Sequence, residues 1–352
     1  MKKVILFSNK IMNYRIPIYN YLSDKFKSNN YRFLVRADQI KKKQKITFDF
    51  KKTQLNIFAC IREIKKINPD VVILFLHLKD IVIWPLIHIL RLKKIPVIYW
   101  NHGINLQTPN NKIKNAFFHY VHNISDAIIL YSPNELKYIE PKNHKKTFIA
   151  YNTLNFNSFP DIKRSKKELL NKYNVKTRKN VLFVGRIQPR KRLDDLLKCF
   201  ENIEKRIGLI VVGPGIQKKQ MVKINRIDNI KYFGPIYDNV KINEIFKMCD
   251  LFSIPGTNGL GLNQAFYWGL PAVAENVNHS PEIFYLKQEK NGYIVPKGDI
   301  RELRERIKHL LMNEDLYKKF SQNARKTIQK EGSIERMYEG FQKAMEFCLD
   351  GK

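Results

Sequence analysis

The sequence predicts an α/β protein of two doubly wound domains. Three observations carry this. Short apolar runs alternate with helical patterns along most of the 352 residues. They form two successive series parted by a polar, strand-free stretch. Glycine is confined almost wholly to the second series, since of 15 glycines only Gly103 lies in the first 184 residues. Near-continuous apolar strands linked by helices are the signature of parallel sheets covered on both faces.

The first series reads "KVILF", "YRFLV", "VVILFL", "PVIYW" and "AIILY". The opening "MKKVILFSNK" holds too short an apolar run for a signal peptide and reads as the first strand. Between "VVILFL" and "PVIYW" stands "DIVIWPLIHILRLKK", residues 80–94, too short to span a bilayer. It reads either as a buried crossover helix or as a segment lying in a bilayer interface, with the basic run "IKKKQKITFDFKK", residues 40–52, beside it in the same domain. Residues 152–167, "NTLNFNSFPDIKRSKK", are the expected linker. The second series reads "NVLFVG", "GLIVVG", "IKYFG", "LFSIPG", "PAVAE" and "GYIV", with helices expected at "RLDDLLKCFENIEKR" and "NEIFKMC". From about residue 299 the strands stop and three helices follow. The expected division is therefore 1–160, 161–335 and a terminal helix, 336–352, packing back on the first domain.

Lys and Arg number 64 against 32 Asp and Glu, a formal charge of +32. Such a chain is drawn to phosphate, whether in nucleic acid, anionic lipid or a phosphorylated small molecule. No helix-turn-helix, zinc-finger or RRM signature accompanies the charge, so nucleic acid is not an expected partner. The four cysteines are scattered without a CxxC or a neighbouring histidine, which points to a reducing compartment and no zinc site.

Backbone that approaches a phosphate closely must lack a Cβ, so glycine-lined phosphate loops belong to the second domain, Gly185 and Gly213 among them. "FVGRIQPRK", residues 183–191, follows a strand, where Arg186 offers a planar fork and Lys191 a point charge to a diphosphate. "GLGLNQAFYWGLP", residues 259–271, follows the next strand and opens a helix. Gly259 and Gly261 would let an anion reach the positive end of that helix, with Leu262 and Asn263 in its first turn. Gln264 stands one turn in, able to hydrogen-bond a hydroxyl but uncharged. In the first domain "PVIYWNHG" ends a strand with His102 and Gly103, and "NYRIPIYNYL" places Arg15 in an early loop. Both are acceptor-side candidates. No DxD-type metal motif occurs.

Residues 180–300, through "FVGRIQPRKRLDDLLKCF" and "LFSIPGTNGLGLNQAFYWGLPAVAENVNHSPEI", resemble the donor-binding domain of the family 4 retaining glycosyltransferases, group 1 type. The resemblance implies the GT-B fold, two Rossmann-like domains facing a cleft, with an activity of the EC 2.4 class and a nucleotide-diphospho-sugar as donor. It implies that Arg186 and Lys191 neutralise the diphosphate, opposite backbone amides near Gly261 and Leu262, and that His279 and Glu282 of "VNHSPEI" face the same crevice. Base recognition falls near Phe233 and Gly234. The family's paired glutamates are missing: the second falls on Gln264, and the first on Gly256, or on Asn258 if a gap is allowed. The resemblance also implies retention. Segment 80–94 and the basic run 40–52 add the expectation that the enzyme docks on the cytoplasmic face of an anionic membrane to glycosylate a glycan or lipid-linked precursor of a cell-surface polysaccharide. The missing DxD motif adds that it needs no metal or other cofactor. His102 is then a catalytic candidate beside Arg186 and Lys191. A nucleotide-sugar epimerase of the same fold, a non-catalytic donor-binding relative and a basic nucleic-acid-binding protein are the rival readings.

Overall fold

The computed structural model describes residues 1–40, 44–106 and 108–350; Lys41, Lys42 and Lys43 of the basic run lie outside them. The chain divides into two compact units, 1–155 with 333–352, and 156–332.

The first unit holds seven strands: β1 (Lys2–Ile11), β2 (Tyr31–Ile40), β3 (Asp49–Lys52), β4 (Val71–Phe75), β5 (Val97–Trp100), β6 (Ala127–Leu130) and β7 (Thr147–Ile149). They form one sheet in the order β3-β2-β1-β4-β5-β6-β7, and every neighbouring pair is parallel. Two-residue periodicity sends alternate side chains to opposite faces. Val4 and Leu6 of β1 join one apolar cluster with the helix Ile16–Ser28 and the terminal helix Ile334–Asp350, while Ile5 and Phe7 join another with the helices Ile57–Ile67 and Ile83–Leu92. The segment "IWPLIHILRL" is thus a crossover helix between β4 and β5 whose Ile83, Leu86, Ile87 and Leu90 are buried. The terminal helix lies directly on β7, close enough that a Cβ on Gly340 would fall 2.2 Å from the Ile149 carbonyl oxygen.

The second unit holds β8 (Lys179–Val184), β9 (Ile207–Val212), β10 (Ile230–Tyr232), β11 (Leu251–Ser253), β12 (Ala272–Glu275) and β13 (Gly292–Val295), again all parallel, in the order β10-β9-β8-β11-β12-β13. One core cluster fills it. The strand order reverses between β8 and β11, and a crevice opens at such a switch point because the loops leaving the two strands turn to opposite faces of the sheet. The predicted α/β class, two parallel-sheet Rossmann-like domains with helices at the C-terminus, is what the chain adopts. The edge strands β3 and β7 were not legible: three of the four residues of Asp49–Lys52 are charged, inside a basic run, and Thr147–Ile149 is three residues long.

Candidate functional site

The two loops at the switch point of the second unit are Gly185–Arg192, leaving β8, and Ile254–Gly259, leaving β11. Their backbones are bonded to each other: the Thr257 amide donates to the Arg190 carbonyl at 2.8 Å and the Gly256 amide to that of Lys191 at 3.2 Å. A Cβ on Gly256 would stand 2.0 Å from the Arg190 oxygen, so this pairing is possible only with glycine there. The position matching the family's first glutamate therefore has no room for any side chain. Asn258, the alternative, is buried, donates to the Ile254 and Gly256 carbonyls at 3.1 and 3.3 Å, and keeps its buried Oδ1 unpaired among the described residues.

Gly213 serves the same crevice from β9. Its φ of +141° and a prospective Cβ only 1.9 Å from the Gly185 oxygen fix glycine at that position. Gly185 itself has φ +149°. Beyond it Arg186 is exposed and makes no hydrogen bond or ion pair among the described residues. Lys191 is held: its Nζ donates to the Thr257 carbonyl and lies 3.9 Å from where a Cβ of Gly259 would be. Burial, with Arg190 beside it, pushes the Lys191 ammonium down to about 8 against the opposing pull of Glu282. Arg192, in the left-handed region at φ 57°, pairs with Asp195 and with fully buried Glu275, Nε to Oε2 2.7 Å; Glu275 also accepts from the Gly298 amide at 3.0 Å. This anchor for the β8 loop escaped the sequence reading, although an acidic end on the apolar run "PAVAE" was its visible signal.

The helix Leu260–Tyr267 starts at Gly259. The Leu262 amide, an expected diphosphate donor, instead bonds to the Gly259 carbonyl at 2.9 Å, and its side chain is core. The amides of Leu260 and Gly261 carry no acceptor among the described residues, and these are the first-turn groups free to meet an anion. The glycines divide the work. Gly259 opens onto Lys191, whereas the place of a Gly261 Cβ is crowded by Val184 and Phe252 at 3.3 Å, which presses the helix onto β8 and β11. Asn263 is fully buried beneath that turn. Gln264, half-buried, donates from Nε2 to Asn243 Oδ1 at 3.0 Å.

His279 is a strut between loops. Its Nε2 donates to the Glu275 carbonyl at 2.7 Å and its Nδ1 accepts from the Asn258 amide at 3.3 Å. Burial lowers its pKa, which keeps the ring neutral and Nδ1 an acceptor. Glu282 is buried in the first turn of the short 3-10 helix Pro281–Tyr285. Phe233 follows β10 and meets Tyr173 edge-on at 5.7 Å.

In the first unit the C-terminal strand ends gather a second constellation. His102, after β5, stacks on Tyr131 at 4.2 Å and its Nδ1 lies 2.8 Å from Glu135 Oε1. Glu135 is buried and accepts the Tyr131 and Ser132 amides at 2.8 and 3.1 Å. An acceptor so fixed holds the ring with hydrogen on Nδ1, and Nε2 is left without a partner among the described residues. Gly103 takes φ +77°, with Tyr138 Cβ 3.0 Å from its prospective Cβ. Arg15, an acceptor-side candidate in the first loop, is buried: its guanidinium lies 4.5 and 4.6 Å from the Trp100 and Phe75 ring centres and Nη2 donates to Tyr131 Oη at 3.3 Å. Among the described residues no group of three or more His, Cys, Asp or Glu side chains is placed to hold a metal, and the four cysteines are buried and not in disulfides.

A doubly wound unit with cationic side chains and unpaired amides at its switch point defines the class of α/β proteins that take phosphorylated ligands at strand ends. Residues 165–327 match the glycosyl transferases group 1 family, a match that lies within the second unit. The chain is similar to an uncharacterized glycosyltransferase of Methanocaldococcus jannaschii, 28% identical over 73% of this chain and 70% of that one. It is also similar to the poly(ribitol-phosphate) alpha-N-acetylglucosaminyltransferase of Staphylococcus aureus, 24% identical over 70% of this chain, an alignment spanning about half (49%) of the staphylococcal enzyme. Among solved structures, Anabaena HepE in complex with UDP superposes with a TM-score of 0.77 at 15% identity, covering 98% of this chain and 100% of that one. At that identity the likeness is one of fold, two Rossmann-like domains of the GT-B class.

Proposed function

We propose that this protein transfers a sugar, with retention of anomeric configuration, from a nucleoside-diphosphate sugar to a glycan or lipid-linked acceptor of cell-surface polysaccharide synthesis. The observation that carries the reading is that Arg186 and Lys191 stand on one loop of the β8/β11 switch point and the open Leu260 and Gly261 amides follow the other, with Lys191 close to Gly259. Breaking the anomeric bond leaves charge on the diphosphate, and fixed donors aimed at that charge lower the barrier. Arg186 and Lys191 supply it without a divalent cation. His102, with Nδ1 held by Glu135, is open at Nε2 for an acceptor hydroxyl. Relatives named for anionic polyol and phosphatidylinositol acceptors support an envelope substrate.

Arg186→Ala is expected to lower kcat by about 100-fold or more, roughly 3 kcal/mol of transition-state stabilisation; near-normal turnover sinks the assignment. Full activity in EDTA is the companion expectation.

The same reading places the enzyme on the cytoplasmic membrane face. No described helix is long and apolar enough to cross a bilayer. The first unit exposes Ile81, Leu92, Ile113 and Phe117 on or beside the helices Ile83–Leu92 and Lys112–Ile124, with Arg91, Lys93 and Lys94 flanking. Co-sedimentation with vesicles is expected to rise with anionic lipid content and fall with salt.

A further inference from the structure

The far end of the second unit holds a cavity of about 750 Å³, within the size range of small-ligand sites. It lies where β8, β9 and β10 begin, and its other wall is the turn between the helices Ile300–Met312 and Glu314–Glu331. All strands of a parallel sheet start at one edge, so this cavity and the switch-point loops stand at opposite edges, separated by the six residues of β8, about 17 Å.

Five cationic residues line the cavity: Lys176, Arg178, Lys179, Lys205 and Arg206. Lys179 Nζ rests 5.1 Å from the Tyr317 ring centre. The side chains of the other four make no hydrogen bond or ion pair among the described residues. Nearby carboxylates are engaged elsewhere: Glu204 meets Lys308 at 3.2 Å, Glu201 meets Lys223 at 2.7 Å, and Glu314, in the cavity wall, meets Lys318 at 3.0 Å. Among the lining residues that leaves Asp228 against the five cations. Register makes the crowding specific. Lys179 of β8 is paired with Ile207 of β9, so Arg178 and Arg206 immediately precede neighbouring positions on strands about 5 Å apart. Like charges so placed repel, and an anion between them removes the repulsion, each guanidinium offering a planar fork to phosphate.

We propose that this cavity is a second anion site, apart from the switch point, which takes a small molecule carrying two or more phosphoryl groups. Its concavity and size suit such a molecule better than a flat bilayer. A single phosphate, with at most about two charges at neutral pH, leaves most of the cationic charge uncompensated. The site shares no residue with the donor site proposed above and stands independently of it.

The test is titration calorimetry of the full chain with inorganic tripolyphosphate and with orthophosphate at about 150 mM salt. Tripolyphosphate is expected to bind at least about tenfold more tightly than orthophosphate, and Arg178→Ala/Arg206→Ala to weaken it by about tenfold or more. Lys27→Ala/Lys65→Ala removes the same charge from exposed positions of the first unit and should change it less than about twofold. Repeating the titrations on an Arg186→Ala background lowers any contribution of the switch point, and the loss from Arg178→Ala/Arg206→Ala should persist there. Equal losses from the two double variants, or none from Arg178→Ala/Arg206→Ala, overturn the inference and leave the donor site standing. Orthophosphate binding as tight as that of tripolyphosphate overturns the multiply phosphorylated class. If Arg178→Ala/Arg206→Ala abolishes co-sedimentation with phosphatidic acid vesicles and spares tripolyphosphate affinity, the patch belongs to a lipid surface and the small-molecule occupant is overturned. Circular dichroism melts of the variants separate a lost contact from a lost fold.

Discussion

At the scale of single residues, Gly256 is the plainest constraint. Gly256→Glu would introduce the charge that the family resemblance implies there, yet its Cβ must displace the Arg190 carbonyl and break the paired amides of Gly256 and Thr257. Urea unfolding followed by fluorescence is expected to show a loss of roughly 2 kcal/mol or more, with no gain in turnover. Lys191 gives a pH signature. Its folded pKa of about 8 lies below its ordinary value of 10.5 because of burial and Arg190. Between these values the unfolded chain holds more protons, so stability of the unliganded protein rises with pH through that window. Diphosphate affinity moves the opposite way, falling as pH climbs past about 8 and the ammonium is lost. Calorimetric titration of UDP from pH 7 to 9.5 checks this, and Lys191→Arg should flatten the profile. The sequence exposed the residue types but not their partners. "GLGLNQAFYWGLP" shows three glycines with one apparent purpose, whereas Gly259 opens onto Lys191, Gly261 packs against β8 and β11, and Gly269 turns the chain at φ +75° under Arg325. Nothing local in "NVKINEIFKM" says that Asn243 meets Gln264 and Trp268, since that contact depends on how two helices cross.

At the scale of elements, apolar runs were legible because a strand covered on both faces cannot carry polar residues: Val71–Phe75 and Ile207–Val212 announce themselves. Edge strands lack that pressure, and β3 and β7 passed unread. The terminal helix is the element most exposed to a single change. Gly340 touches the Ile149 backbone, so Gly340→Ala should lift the helix from β7 and loosen the contacts of Phe341 with Trp100. A loss of about 2 kcal/mol in unfolding free energy is expected, with amide exchange accelerated in Thr147–Ile149 and little changed in β8 to β13.

At the scale of the whole molecule, a charge of +32 sets the association behaviour more than the fold. Binding to anionic vesicles should drop steeply between 50 and 300 mM salt, roughly as the Debye length shortens from about 14 to 6 Å, whereas nucleotide affinity, resting in part on the half-buried Lys191 and on backbone amides, should respond less. The composition of the first unit has a further consequence. Its core takes Ile334, Met337, Phe341 and Met345 from the far end of the chain, whereas the second unit is one continuous stretch, 156–332. During synthesis the second unit therefore has all its residues before the first does. The face of the β1–β7 sheet that the helix Ile16–Ser28 shares with the terminal helix is therefore completed only once residues 333–350 are made.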